Sequence, residues 1–165
     1  MKNEMKKGFT LVELIIVIAI IAILAGAIFV AIDPARRLHE TRNARRSSDI
    51  ATILDAVKKY QADNGGAHYS ELADADEDVY YAVGTNGDLC SGCSVVGGIT
   101  ECVDLEDMGT NYLAVVPFDP LDGDEDNTQY YILKDESGAI TVGSCSAEGE
   151  GPGGTGDAPE IKITR

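Results

Sequence analysis

The stretch that decides the fold is KKGFTLVELIIVIAIIAILAGAIFVAI, residues 6–32. Residues 14–32 run for nineteen positions without a charge. As a helix rising 1.5 Å per residue, residues 9–32 would be roughly 36 Å long, enough to cross a hydrocarbon core of about 30 Å. Lipid cannot satisfy free backbone polar groups, so a segment that spans it must be helical. The sequence therefore predicts a transmembrane helix over residues 9–32.

Three interpretations of this segment compete. A secretory signal peptide usually has a shorter apolar region of 7–15 residues, although the Ala-Gly-Ala at 25–27 could serve as a weak cleavage site. A plain signal anchor fits the hydropathy. The third interpretation rests on Glu13, because a carboxylate immersed in a membrane costs roughly 2.5–3.5 kcal/mol on insertion scales. A plain anchor gains nothing from that charge, so Glu13 indicates a function for the helix itself.

The residues that open the helix carry a resemblance to a known family. GFTLVE at residues 8–13, directly after Lys6 and Lys7, resembles the class III signal of the type IV pilins and pseudopilins. The resemblance covers about the first thirty residues. It implies an α+β fold with a long N-terminal helix, half transmembrane and half amphipathic, and a head with a small C-terminal antiparallel sheet.

The resemblance also implies a processing step. A prepilin peptidase would cut between Gly8 and Phe9 and methylate the new N-terminus at Phe9. Glu13, the fifth residue after the cut, would then meet the amine of Phe9 on a neighbouring subunit during assembly. The cut frees an amine with a reference pKa near 7.7–8, and a carboxylate buried among apolar helices needs such a cation. Processing and assembly would therefore be coupled.

The charges that flank the helix bear on its orientation. The basic leader, residues 1–8, favours a cytoplasmic N-terminus by the positive-inside rule. The five arginines at positions 36, 37, 42, 45 and 46 outnumber the leader lysines and favour the opposite. Because the resemblance requires Gly8 to face a cytoplasmic-side peptidase, we expect a single-pass precursor with its head outside. After assembly on a membrane platform, the chain would be a homo-oligomeric extracellular filament.

Charge divides the chain into two unlike parts. The net charge is −15; residues 1–60 carry +4 and residues 61–165 carry −19. Phosphate contacts need lysine and arginine, so the acidic part argues against nucleic-acid binding through the head. We predict five segments: the leader 1–8, the membrane or filament-core helix 9–32, an amphipathic helix 33–64, a globular head 65–147 and a Gly/Pro-rich tail 148–165.

The second helix begins with a cap and a proline. Asp33 can cap a helix that has Pro34 in its first turn, where the long helix would break or kink. Further along, one apolar face is predicted to pack under the head; its members are Ile50, Ile53, Leu54, Val57 and Tyr60. The arginine-rich residues 36–46 have two explanations. They form a solvated or lipid-phosphate-binding face, or they face acidic patches on neighbouring heads in a filament.

The head is predicted mostly from its β-rich runs. Residues 129–134 and 139–143, joined by Asp135-Glu-Ser-Gly138, have the pattern of a hairpin. Residues 67–110 look irregular, with a short run at 79–83, and residues 105–116 could include a short helix. Residues 161–164 could add an edge strand or stay loose. The glycines and prolines of residues 148–159 predict a mobile tail.

Four cysteines, Cys90, Cys93, Cys102 and Cys145, lie in the head. An even number in an oxidising compartment favours two disulfides, with three connectivities open. The spacing would also fit a tetrahedral zinc site, which we favour less because of the compartment. Cys145 follows the hairpin and could tie the sheet to the loop that holds the other three.

The acidic loop at 117–127, PFDPLDGDEDN, is the other chemically suggestive stretch. Asp122, Asp124 and Asp126 alternate as carboxylates do at the start of a calcium loop, but Leu133 stands where an EF-hand closes with Glu. The loop also resembles a segment near which some pilins bind calcium. Calcium here is a hypothesis, against a plain solvated turn, and we expect no cofactor to be required.

Motifs for catalysis are missing from the sequence. It contains no phosphate-binding loop, dinucleotide fingerprint or nucleophile elbow, and His39 and His68 have no obvious nucleophile partner. We therefore expect a structural filament subunit of the type IV pilus kind and no enzyme. Two alternatives stay open: a pseudopilin of a type II secretion or DNA-uptake machine, and an uncleaved membrane-anchored binding domain that uses calcium.

Overall fold

The computed structural model describes residues 8–85, 93, 96, 97, 99 and 101–165. Helix α1 spans Leu11–Ile32 and helix α2 spans Pro34–Asp63. Asp33 between them is left-handed, with φ 47° and ψ 72°, and its side chain accepts a hydrogen bond from the backbone N–H of Arg36 at 3.4 Å. A proline disfavours the helical conformation in the residue before it but suits a first helical position. The predicted cap and break at Asp33-Pro34 are therefore confirmed.

The two helices differ in how many of their residues are buried. No residue of α1 is buried. On α2 the predicted apolar stripe is confirmed, because Ile50, Ile53, Leu54 and Val57 are all buried. These side chains form the main core together with Tyr130, Ile132, Ile140 and Val142 of the sheet, while Tyr60 packs against its edge. The second half of α2 therefore belongs to the head, and α1 stands apart from it.

The described residues form a five-stranded sheet in the order β2-β1-β3-β4-β5. The strands are β1 Tyr80–Val83, β2 Cys102–Val103, β3 Tyr130–Lys134, β4 Ile140–Ser144 and β5 Lys162–Thr164. β1 and β2 are parallel, and the other neighbouring pairs are antiparallel. The α+β class and the β3–β4 hairpin are confirmed, residues 161–164 do supply an edge strand, and the parallel pair was not predicted.

Short elements occupy the region expected to be irregular. A third helix, α3, spans Ser70–Asp74, and a 3-10 helix spans Glu106–Met108, inside the range where a short helix was predicted. Leu72 and Met108 project from them into the core. Single buried side chains thus anchor segments that are too short to carry a periodic apolar pattern.

The structure corrects the prediction of a mobile tail over residues 148–159. This segment folds back along the first half of α2 and includes a 3-10 turn, Pro152–Gly154. The backbone N–H of Gly153 donates to Asp33 Oδ2 at 2.7 Å, and the carbonyl of Gly149 lies 2.8 Å from His39 Nδ1. Glycine content suggested freedom, but polar side chains of α2 bind the loop backbone and hold it in place.

Candidate processing and assembly site

The segment 8–13 presents an accessible peptide bond immediately before a capped helix. Gly8 and Phe9 precede α1; Phe9 is 92% exposed, and a Cβ at Gly8 would meet no described atom within 4 Å. Thr10 is the N-cap, and Glu13 lies at the third helical position. The Gly8–Phe9 bond is therefore open to an enzyme.

A capping box fixes the side chain of Glu13. Its Oε2 accepts hydrogen bonds from the backbone N–H and the hydroxyl of Thr10, both at 2.8 Å, and the Glu13 N–H donates to Thr10 Oγ1 at 3.2 Å. This reciprocal arrangement satisfies two donors at the helix start. A single uncleaved chain can thus hold the Glu13 carboxylate without a cationic partner.

The predicted meeting of Glu13 with the Phe9 amine is an event between subunits. In the uncleaved chain the Phe9 nitrogen belongs to a peptide bond and carries no charge. The carboxylate of Glu13 contacts Thr10. The assembly roles of Phe9 and Glu13, like the cut at Gly8, therefore remain predictions.

The apolar surface of α1 is exposed on all sides of the helix. Among the described residues one helical stretch is long and apolar enough to cross a membrane, and it begins with α1. Its large apolar side chains are all more than half exposed, from 51% for Ile15 to 79% for Val30. Lipid or other apolar helices can cover such a surface, which water solvates poorly.

The arginine-rich residues after α1 form a polar cluster within the chain. The guanidinium of Arg46 is fully buried and donates to both carboxylate oxygens of Asp119, at 2.5 and 3.1 Å, and to Glu148 at 2.7 Å. Arg42 donates to the two Glu148 oxygens at 2.6 and 2.5 Å. Asn43 donates to the Glu148 carbonyl at 2.7 Å. The cluster ties α2 to the loop before β3 and to the tail.

The electrostatics of the cluster favour the charged forms. Hydrogen bonds from Arg42, and then from Arg46, lower the pKa of Glu148 to about 2 although burial opposes this shift. Burial alone would raise the pKa of Asp119, but hydrogen bonds from Arg46 and from the Leu121 and Asp122 N–H groups hold it below its usual value. Both carboxylates therefore stay ionised at neutral pH and compensate the buried guanidinium.

This cluster corrects part of the hypothesis for residues 36–46. Arg42 and Arg46 are neither a solvated face nor free to meet a neighbouring head, because Glu148 and Asp119 of the same chain bind them. A signal was present in the sequence. Positions 46, 50, 53 and 57 continue one helical stripe, so Arg46 extends the apolar face of α2. Arg36, Arg37 and Arg45 remain exposed.

The acidic loop is held by hydrogen bonds within the head. Asp124 Oδ1 accepts from the Asn127 N–H at 2.8 Å, and Asp126 Oδ1 accepts from the Thr85 hydroxyl at 3.2 Å. Asp122 is exposed. In the part of the chain that the structure describes, no three His, Cys, Asp or Glu side chains are grouped as a metal site. Calcium binding by this loop stays a prediction.

The cysteines form disulfides where the structure describes them. Cys93 and Cys145 are joined, with their Cα atoms 4.9 Å apart, so the residue after the hairpin is tied to the cysteine-rich loop as predicted. Cys102 is disulfide-bonded as well, and Cys90 lies outside the described residues. A zinc site that uses Cys93 and Cys145 as thiolates is excluded by their bond.

Comparison with known families identifies the N-terminal segment. Residues 5–29 match the family model of the prokaryotic N-terminal methylation motif, the leader signature of the type IV pilins and pseudopilins. The match contains Gly8, Phe9 and Glu13 and most of α1. No curated protein and no solved structure matches the chain. The motif and the uncovered helix together support membrane anchoring before assembly.

Proposed function

We propose that this chain, which carries the leader signature of type IV pilins and pseudopilins, is the precursor of a structural subunit of a type IV pilus or a related surface filament. The observation that carries the proposal is the methylation motif over residues 5–29, joined to a helix without a buried residue. Proteins of the pilin type are structural and not enzymatic.

The proposed sequence of events begins with a prepilin peptidase. It cuts the exposed Gly8–Phe9 bond and methylates the Phe9 amine. A membrane assembly platform then delivers the subunit to a filament whose core is built from packed α1 helices. Association in lipid depends on van der Waals packing and polar contacts. A pair formed by Glu13 and the Phe9 amine of the neighbouring subunit would set the helix register, since a misplaced partner leaves a buried charge uncompensated.

The first experiment is intact-mass measurement with N-terminal sequencing, on protein from native membranes and from material sheared off the cell surface. A chain that begins at Phe9, carries one extra methyl group and occurs in the sheared fraction is the expected result. A chain that begins at Met1 and occurs only in membranes would refute the proposal and leave an uncleaved, membrane-anchored binding domain as the better account.

A variant separates processing from assembly. Glu13→Gln keeps the length and hydrogen-bonding ability of the side chain but removes its charge. We expect normal cleavage at Gly8–Phe9, because the bond lies outside the helix, and loss of most sheared filament. Thr10→Val removes the hydroxyl partner of Glu13 and serves as the control, with cleavage and assembly largely retained. Equal filament yield from Glu13→Gln and the unchanged chain would rule out the charge pair.

A further inference from the structure

A groove of about 320 Å³ opens on the head beside the 3-10 helix Glu106–Met108. Leu113, Val115 and Val116 supply apolar lining, and Glu106 and Glu125 supply two carboxylates; these five residues define the acidic groove. Val115 is 70% exposed. The two carboxylates are also exposed, and neither forms an ion pair with another described residue. The groove thus combines uncovered apolar surface with two uncompensated charges.

A surface with the opposite character lies on the first half of α2. Leu38 and Arg45 are seven residues apart and share one helix face, and Arg37, eight residues before Arg45, lies about 80° to one side of Arg45. We call them the basic face. Leu38 is 57% exposed, and the side chains of Arg37 and Arg45 are 69% and 58% exposed. Arg36 and Arg37 share the single carboxylate of Glu40, and Arg45 Nε lies 3.6 Å from Asp49 Oδ2, so the three arginines exceed these two carboxylates by one charge.

The two surfaces lie near opposite ends of α2 and cannot meet within one chain. Beside the acidic groove, the Asn111 carbonyl accepts from Lys59 at 2.8 Å and Tyr112 packs on Tyr60 with ring centroids 5.2 Å apart. Leu38 precedes Lys59 by twenty-one residues. At 1.5 Å per residue this is roughly 31 Å along the helix. A contact between the surfaces must therefore join two copies displaced along α2.

We propose that the basic face of one copy packs into the acidic groove of the next, with Leu38 against Val115 and the arginines beside Glu106 and Glu125. The proposal rests on the filament function proposed above and names the surfaces that meet between heads. A contact between two different surfaces is heterologous, and it extends into a filament when its rotation does not close into a ring. Apolar burial would supply affinity, and the charges would set orientation.

The charge distribution favours a second copy as the occupant of the groove. Residues 61–165 carry −19, and their three cations are already engaged. Lys134 is buried, Lys162 pairs with Glu160, and Arg165 pairs with Asp55. Another head surface would therefore repel the groove. In the described part of the chain, the exposed arginines of α2 outnumber their own partners Glu40 and Asp49, and every neighbouring copy presents them.

Cysteine cross-linking in the full chain tests the contact. Cells that make the filament would carry Leu38→Cys and Val115→Cys together, and sheared filaments would be mildly oxidised and run on a non-reducing gel. Each copy then has one new thiol at each surface, so we expect a ladder of covalent multimers, whereas either single variant lacks the facing thiol and should run as a monomer. Leu38→Cys with Val79→Cys is the matched control, because Val79 is 41% exposed but does not line the groove.

The outcomes separate this contact from the filament function. Filaments without a ladder, or equal ladders from the test and control pairs, overturn the contact and leave the filament function intact. An unchanged chain that forms no filament and keeps its Gly8–Phe9 bond overturns both.

As a second measurement, Arg37→Glu should lower the yield of sheared filament at least tenfold, and adding Glu125→Arg should restore most of that yield. An Arg37→Glu yield equal to that of the unchanged chain contradicts the contact, as does a failure of the exchange to restore it.

Discussion

At the residue scale, the buried guanidinium of Arg46 is the most consequential side chain of the head. It is fully buried and binds Asp119 and Glu148. Arg46→Met keeps much of the volume but leaves the buried Asp119 without its cation. We expect a loss of about 3–5 kcal/mol in the free energy of unfolding, measured by denaturant titration of the chain in detergent. Arg45→Met is the control, with an effect within about 0.5 kcal/mol. Similar losses in both variants would show that burial at Arg46 carries no special cost.

The same cluster predicts how stability depends on pH. Arg42 and Arg46 lower the pKa of Glu148 in the folded chain to about 2, from an ordinary value of 4.5. A depressed folded pKa gives stability that is present above the unfolded pKa and lost as pH falls through the folded one. The stability that Glu148 gains from the two arginines should therefore be present down to about pH 5. The melting temperature should fall between pH 4.5 and 2, as Glu148 is protonated. Glu148→Gln should start lower and show a shallower fall; an unchanged slope would contradict the assignment.

At the scale of elements, the contact between α2 and the tail loop can be tested with two neighbouring glycines. A Cβ at Gly154 would lie 2.6 Å from the ring of His39, whereas a Cβ at Gly153 would meet nothing within 4 Å. Both glycines have positive φ, 74° and 69°, so alanine strains both backbones alike. Gly154→Ala should cost on the order of 1 kcal/mol more than Gly153→Ala and hasten proteolysis within residues 148–156. Adding His39→Ala should remove the excess cost. If the excess cost persists, crowding against the His39 ring is not its cause.

The elements also show what periodicity can and cannot reveal. The α2 stripe, the Asp33-Pro34 break and the β3–β4 hairpin follow from local patterns, and the structure has all three. The fold of the tail depends on side chains more than a hundred residues away in the sequence. Asn43, for example, donates a hydrogen bond to the Glu148 carbonyl. Its glycines permit close approach of backbone to backbone, which composition alone does not distinguish from freedom. The Gly8–Glu13 segment was predictable because its chemistry is contiguous in sequence, whereas the acidic groove is assembled from separate loops.

At the scale of the whole molecule, α1 and the head are expected to be thermodynamically separate. No residue of α1 is buried, and α2 starts with its own cap at Asp33. A chain that begins at Asp33 should therefore keep the melting temperature of the head within a few degrees while losing membrane association. A chain that begins at Asn43 is the matched comparison, because it also lacks His39 and Arg42, which bind the tail. It should melt clearly lower, since the Glu148 carboxylate then keeps Arg46 as its one arginine partner. Calorimetry of both fragments and of the full chain measures these melting temperatures. Equal values for the two fragments would mean that the first turns of α2 do not stabilise the head. A fragment from Asp33 that melts far below the full chain would mean that α1 packs on the head.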